Sequence, residues 1–208
     1  MVKSAQVAAT QVPPNAEAPA VIESVRDRIL RTARDLFYRD GIRAVGVDTV
    51  VAQSGVAKTS LYRWFPSKDA LIAAVLEEEA KFRWERWDKN AAVSDQEPRA
   101  LLRSQLAGIA RFVAHRAYRG CPFMNVTAEF ADPQHPARVV AMQVCDELRK
   151  RVGGLVQAIP GIRDAEMLTD QIVLLIDGTM SAAHMQGAEG PQKHLISAAD
   201  ALIDAQLK

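Results

Sequence analysis

From residue 24 onward, apolar side chains recur at spacings of three and four, and the two-residue alternation of a half-buried strand is nearly absent. The pattern predicts an all-α protein of about nine helices. The first should run from Ser24 to Asp40, with Val25, Ile29, Ala33, Leu36 and Phe37 as its apolar stripe, Ser24 as cap and Gly41 as stop. A short second helix fits Val47 to Ser54, behind Gly46 and with Asp48 in its first turn. A third fits Lys58 to Phe65, stopped by Pro66. A fourth starts at Ser67, turns Leu71, Val75 and Leu76 inward and continues through Trp84 and Trp87. Beyond a turn at Ser94 to Pro98, helices are expected over Arg99 to Tyr118, Pro122 to Phe130, Ala137 to Ala158, Asp164 to Met185 and Gln192 to Leu207. Residues 1–22 are rich in Ala, Pro, Gln and Val and carry no usable period; a disordered tail is expected there.

Composition and charge narrow the class. Of 208 residues, 49% are hydrophobic and 25% charged, the proportions of an ordinary globular protein with a core large enough to fold without staples. The net charge of +1 favours no partner, but its distribution does. Ser24 to Lys68 holds nine Lys/Arg against four Asp/Glu, so a basic block precedes a mildly acidic body. That is what a nucleic-acid module joined to a non-binding domain would give, although clustered helix-surface charge would look the same. Two cysteines, Cys121 and Cys145, make no disulfide framework and suit a reducing compartment. No secretory leader pattern is evident, and the most strongly apolar run, Ile172 to Ile176, is far short of the roughly 20 residues of a membrane span. A cytoplasmic protein without a membrane partner is expected.

The second and third helices are each about two turns long and meet at Ser54-Gly55-Val56-Ala57, the proportions of a helix-turn-helix whose second helix enters the major groove. The third helix surrounds one strongly apolar residue, Leu61, with Lys58, Thr59, Ser60, Tyr62, Arg63 and Trp64. Lys and Arg suit phosphate, or a guanine edge in the case of Arg; Thr and Ser can bond base edges. Lys68 opens the next helix, where backbone N–H groups also point at an anion. A surface helix with no ligand remains the alternative at this point.

The run from Val47 through Leu71, together with Ala33-Arg34-Asp35-Leu36-Phe37 and Gly41, resembles the N-terminal signature of the TetR family of regulators. It covers about a quarter of the chain. Gly46 and Ala57 depart from the Ser or Thr that the family often has at these two helix caps, and Trp64 stands where His is frequent. The resemblance implies a helix-turn-helix DNA-binding domain over 23–70 and a helical ligand-binding and dimerisation domain over 71–208. It further implies a homodimer on double-stranded DNA with an inverted-repeat operator, and a small-molecule effector that releases a repressor. Carried over by position, Lys58, Tyr62 and Lys68 would hold phosphates; Thr59, Ser60 and Arg63 would face bases, beside Trp64; and Thr49 would touch backbone.

Two stripes could form the dimer surface: Ile172, Leu175, Ile176 and Met180 in the eighth helix, and Leu195, Ala199 and Leu202 in the ninth. A stripe of this kind is equally what one protomer's own core uses. The effector pocket could draw on Phe112, His115, Phe123, Met124, Phe130, Met142 and Met167, residue types that serve an adaptable apolar cavity and any core alike. Cys121, near a helix start and Arg119, could act as a thiol or electrophile sensor or be a small buried hydrophobe; Cys145 fits the core. The four histidines form no metal-ligand spacing, and no phosphate loop or nucleophile elbow is present, so neither metal, cofactor nor enzymatic activity is expected. An all-helical enzyme would need convergent titratable groups. A helical interaction module would explain the C-terminal stripes but not Lys58 to Arg63.

Overall fold

A computed structural model describes residues 23–92, 97–187 and 189–207; the expected disordered tail, residues 1–22, lies outside them. Among the described residues the chain is all helix: α1 Val25–Asp40, α2 Val47–Ser54, α3 Lys58–Trp64, α4 Lys68–Ala92, α5 Pro98–Val113, α6 Pro122–Glu129, α7 Pro136–Ala158, α8 Ala165–Gln186 and α9 Leu195–Gln206, with a 3-10 turn at Pro191–His194 before α9. The all-α expectation and the helix count hold for these residues.

Local chemistry sets the boundaries. The Ser24 hydroxyl accepts from the Asp27 N–H at 3.1 Å, closing the start of α1. Ser67 does the same for Ala70 at 3.0 Å at the start of α4, and Asp164 for Met167 at 2.9 Å at the start of α8. Gly55 adopts the left-handed conformation, φ 65° and ψ 24°, and this reverses the chain between α2 and α3. The fifth helix ends at Val113, not Tyr118. There His115 Nδ1 accepts from the Ala117 N–H at 3.2 Å, and the Tyr118 hydroxyl donates to the Met180 carbonyl at 3.0 Å, 62 residues away.

Three helices form the head. Ile29, Ala33, Leu36 and Phe37 of α1 close over Val50, Val56, Leu61 and Phe65, all buried. The long helix α4 belongs to both head and body. Its first turns bury Leu71, Ile72, Val75 and Leu76 beside α1, while Trp84 and Trp87 pack against the body core. At about 1.5 Å per residue its 25 residues span roughly 37 Å, enough to make it the strut between the two. The body is built on α5, α7, α8 and α9. In α8, Leu168, Ile172, Ile176 and Met180 recur every fourth residue and are fully or almost fully buried. Arg99 and Arg103 of α5 both pair with Asp200 of α9. No helix among the described residues is long and apolar enough to cross a membrane.

Candidate nucleic-acid interface and helical-body clefts

The recognition surface grows from one anchored helix. Leu61 is wholly buried, and Phe65, beneath the Arg26 guanidinium at 5.9 Å, is nearly so. With about 100° of rotation per residue, Thr59 and Arg63 fall on the side opposite Leu61, and Ser60 and Tyr62 on the flanks. Lys58, Thr59, Tyr62, Arg63, Trp64 and, on α2, Thr49 are exposed; Ser60 and Lys68 are half-buried. All eight residues singled out in the sequence therefore reach the surface of one small head. Trp64 is 51% exposed although it neighbours Phe65 on the inward side.

Neither α2 nor α3 has a side-chain cap: Gly46 and Ala57 stand at the cap positions and offer no acceptor. What joins the two helix starts is an ion pair, Lys58 Nζ to Asp48 Oδ1 at 2.6 Å. The Asp48 carboxylate raises the proton affinity of the Lys58 ammonium and holds it charged. Sequence reasoning placed Asp48 only as a first-turn acid. The ten-residue separation gives no helical spacing from which the pair could be read.

Among the described residues, hydrogen bonds tie α1 and the turn after it to the body at two places. The Glu129 carboxylate, at the end of α6, accepts from the backbone N–H groups of Ile42 and Arg43 at 3.3 and 3.0 Å. The Tyr38 hydroxyl of α1 donates to the Gly120 carbonyl at 3.1 Å and accepts from the Arg119 N–H at 2.8 Å. Burial pushes the Tyr38 phenol up from its ordinary range, so it stays a donor. Neither tie was anticipated from sequence.

Two clefts open on the body, the larger of them beside these ties. The larger, about 800 Å³, lies between α1, α4, α6 and the 115–119 turn, with Tyr38, Ile72, Glu79, Tyr118, Asn125 and His184 among its walls. The smaller, about 370 Å³, lies between α4 and α5. Phe112 and His115 line both, so the clefts adjoin. The other five expected pocket residues line neither. Phe123 is buried in the core, and Phe130 stacks on His135 at 4.0 Å outside the clefts. Met124, Met142 and Met167 are exposed at 36%, 48% and 44%. Aromatic and Met content did not separate cleft from core or surface, because which helix faces meet is a long-range property.

The C-terminal stripes likewise turn inward. Ile172, Ile176, Met180, Leu195 and Ala199 are buried within the protomer, and Leu175 and Leu202 are half-buried. The face of α8 left outside carries Leu174 and Met185, 70% and 72% exposed. Cys121 is buried, with its sulfur 3.5 Å from an Arg83 donor. Cys145, expected in the core, is exposed on α7 because it falls one position past the buried Val144.

An all-helical chain whose N-terminal head is a helix-turn-helix under an exposed, basic second helix has the architecture of a DNA-binding transcriptional regulator. Residues 29–75 match the family model for bacterial regulatory proteins of the tetR family. The structure overlays a TetR-family transcriptional regulator from Streptomyces coelicolor with a TM-score of 0.83 at 27% identity, covering 88% of this chain and 96% of that one. It overlays a protein assigned as a TetR transcriptional regulator from Streptomyces avermitilis with a TM-score of 0.78 at 30% identity, covering 88% and 98%. An HTH-type transcriptional regulator from the lacX 3′ region of Lactococcus lactis is 24% identical over 143 residues, 68% of this chain and 72% of its own length. The chain belongs to the TetR family of transcriptional regulators.

Proposed function

We propose that this TetR-family regulator is a repressor that binds an inverted-repeat operator as a homodimer and is released by a small-molecule effector held in the body. The observation that carries the reading is the outward row of α3. Thr59 and Arg63 stand opposite a fully buried Leu61, so bases can be met without disturbing the anchor. Lys58, Tyr62 and Lys68 flank that row at positions suited to phosphate, and Thr49 and Trp64 extend it. The effector reading is supported by the adjoining clefts, the larger of which is walled in part by Tyr38 of α1 and Glu129 of α6, the side chains that make the two ties to the head. The homodimer reading is supported by the outer face of α8 and α9. There Leu174 and Met185 stand exposed among Gly178, Ala182, Ala198, Ala201 and Ala205, small enough for close helix approach. This face replaces the inward stripes expected from sequence.

The test is selection of double-stranded DNA from a random pool by the full chain, without added ligand. Enrichment of one inverted repeat, with half-sites about one helical turn apart, is the expected result. Recovery of no common sequence would overturn the reading.

A further inference from the structure

The run Arg83-Trp84-Glu85-Arg86-Trp87 repeats an Arg–Trp pair three residues apart, and α4 turns both pairs onto the smaller cleft. The two indoles meet edge-on with centroids 6.4 Å apart. Arg111 and Phe112 face them from α5. Three guanidinium groups thus surround an aromatic cleft that no Asp or Glu lines.

Among the described residues, no ion pair joins Arg83, Arg86 or Arg111 to a carboxylate, whereas Arg151 nearby is held by Asp88 at 2.5 Å and Glu147 at 2.6 Å. Asp177 on α8 lies close enough to feel the charge of Arg83, and Glu79 on α4 that of Arg83 and Arg86, but neither makes an ion pair with them, and burial outweighs those charges to push both carboxyls up. Arg83 lies 4.8 Å over the Phe123 ring and Arg86 5.2 Å over the Phe112 ring. Such stacking satisfies the face of a guanidinium and leaves the N–H edge of Arg86 for an acceptor, while one Arg83 N–H group goes to the Cys121 sulfur at 3.5 Å.

Space is kept for an occupant. Gly108 sits inside α5, where glycine weakens a helix, and its backbone conformation does not require glycine. A Cβ there would stand 3.3 Å from Asn90 Nδ2 and 3.8 Å from Arg111 Nη2, narrowing the cleft.

We propose that the smaller cleft binds an organic monocarboxylate, its anionic end forked between Arg86 and Arg111 and its apolar body against Trp84, Trp87 and Phe112. This names the chemical class of the effector and rests on the effector-responsive reading above. An apolar tail can extend past Phe112 into the larger cleft, which shares that side chain.

Calorimetric titration of the full chain with two matched pairs, 2-naphthoate against 2-naphthamide and octanoate against octanamide, tests it. At least one acid is expected to bind tenfold or more tightly than its amide. The double variant Arg86→Gln/Arg111→Gln should erase that preference and leave amide binding unchanged. Gly108→Leu should abolish binding of acid and amide together, with helical circular dichroism and melting retained; if that variant fails to fold, the arginine pair decides. Absence of any acid preference in the unaltered chain, or its survival in the double variant, overturns the proposal. Operator enrichment without acid preference sinks only the ligand class. Acid preference without operator enrichment sinks only the regulator reading.

Discussion

Arg63 and Lys68 belong to the same head but to different kinds of contact in the proposed complex. Arg63 stands opposite the buried anchor Leu61, where it would meet base edges, while Lys68 opens α4, where it would meet backbone phosphate. Arg63→Ala is expected to cost about 1–3 kcal/mol on the selected operator and to relax preference at one base pair. Lys68→Ala should weaken all sequences alike and lower the salt slope by about one. Binding measured on operator and scrambled duplex over a salt series checks both; identical behaviour of the two variants refutes the division. These positions were legible because one short helix with one apolar anchor declares its outer face by local periodicity. Of the expected pocket residues, Phe112 and His115 line the clefts and the rest do not. Met142 and Met167 are exposed, and Arg83 and Arg111 converge from helices α4 and α5, a juxtaposition with no local sequence period.

At the scale of elements, α2 and α3 are the weakly fastened parts of the head. Gly46 and Ala57 leave both first turns without a side-chain acceptor. Ala57→Ser should add about 1 kcal/mol and Gly46→Ser a few tenths, visible as a raised melting temperature. Fast amide exchange over residues 46–64 in the free protein, slowed by operator and by the two substitutions, is the accompanying expectation; strong protection in the free protein would contradict it. Helix positions followed from the 3.6-residue period and the Gly and Pro stops, to within a residue or two for most elements. The fifth helix ends five residues short of its apolar period because tertiary contacts end it: the Tyr118 hydroxyl is claimed by the Met180 carbonyl across the body.

For the whole molecule, the question is which face meets a second copy. The apolar period of α8 and α9 was plain in the sequence, but a period cannot tell a protomer's core from its interface. The core takes Ile172, Ile176 and Met180, and Leu174 is left outside. Leu174→Glu should therefore raise the dimer dissociation constant by roughly a hundredfold, about 3 kcal/mol for a carboxylate forced into an apolar contact, with the fold intact. Sedimentation equilibrium reads this directly. A variant that dimerises as well as the unaltered chain would place the interface elsewhere.

The pair between Asp48 and Lys58 has a consequence for how such a head would search a chromosome. At 2.6 Å the Asp48 carboxylate occupies the ammonium that phosphate would otherwise take, so the head carries its own decoy. Every landing on DNA must exchange one partner for the other, and the exchange is close to neutral for an exposed pair. Random stretches that offer only phosphate are thereby discounted. A site that also engages Arg63 gains contacts for which the decoy does not compete, so grip on every sequence is lowered alike while the contrast that Arg63 sets is left whole.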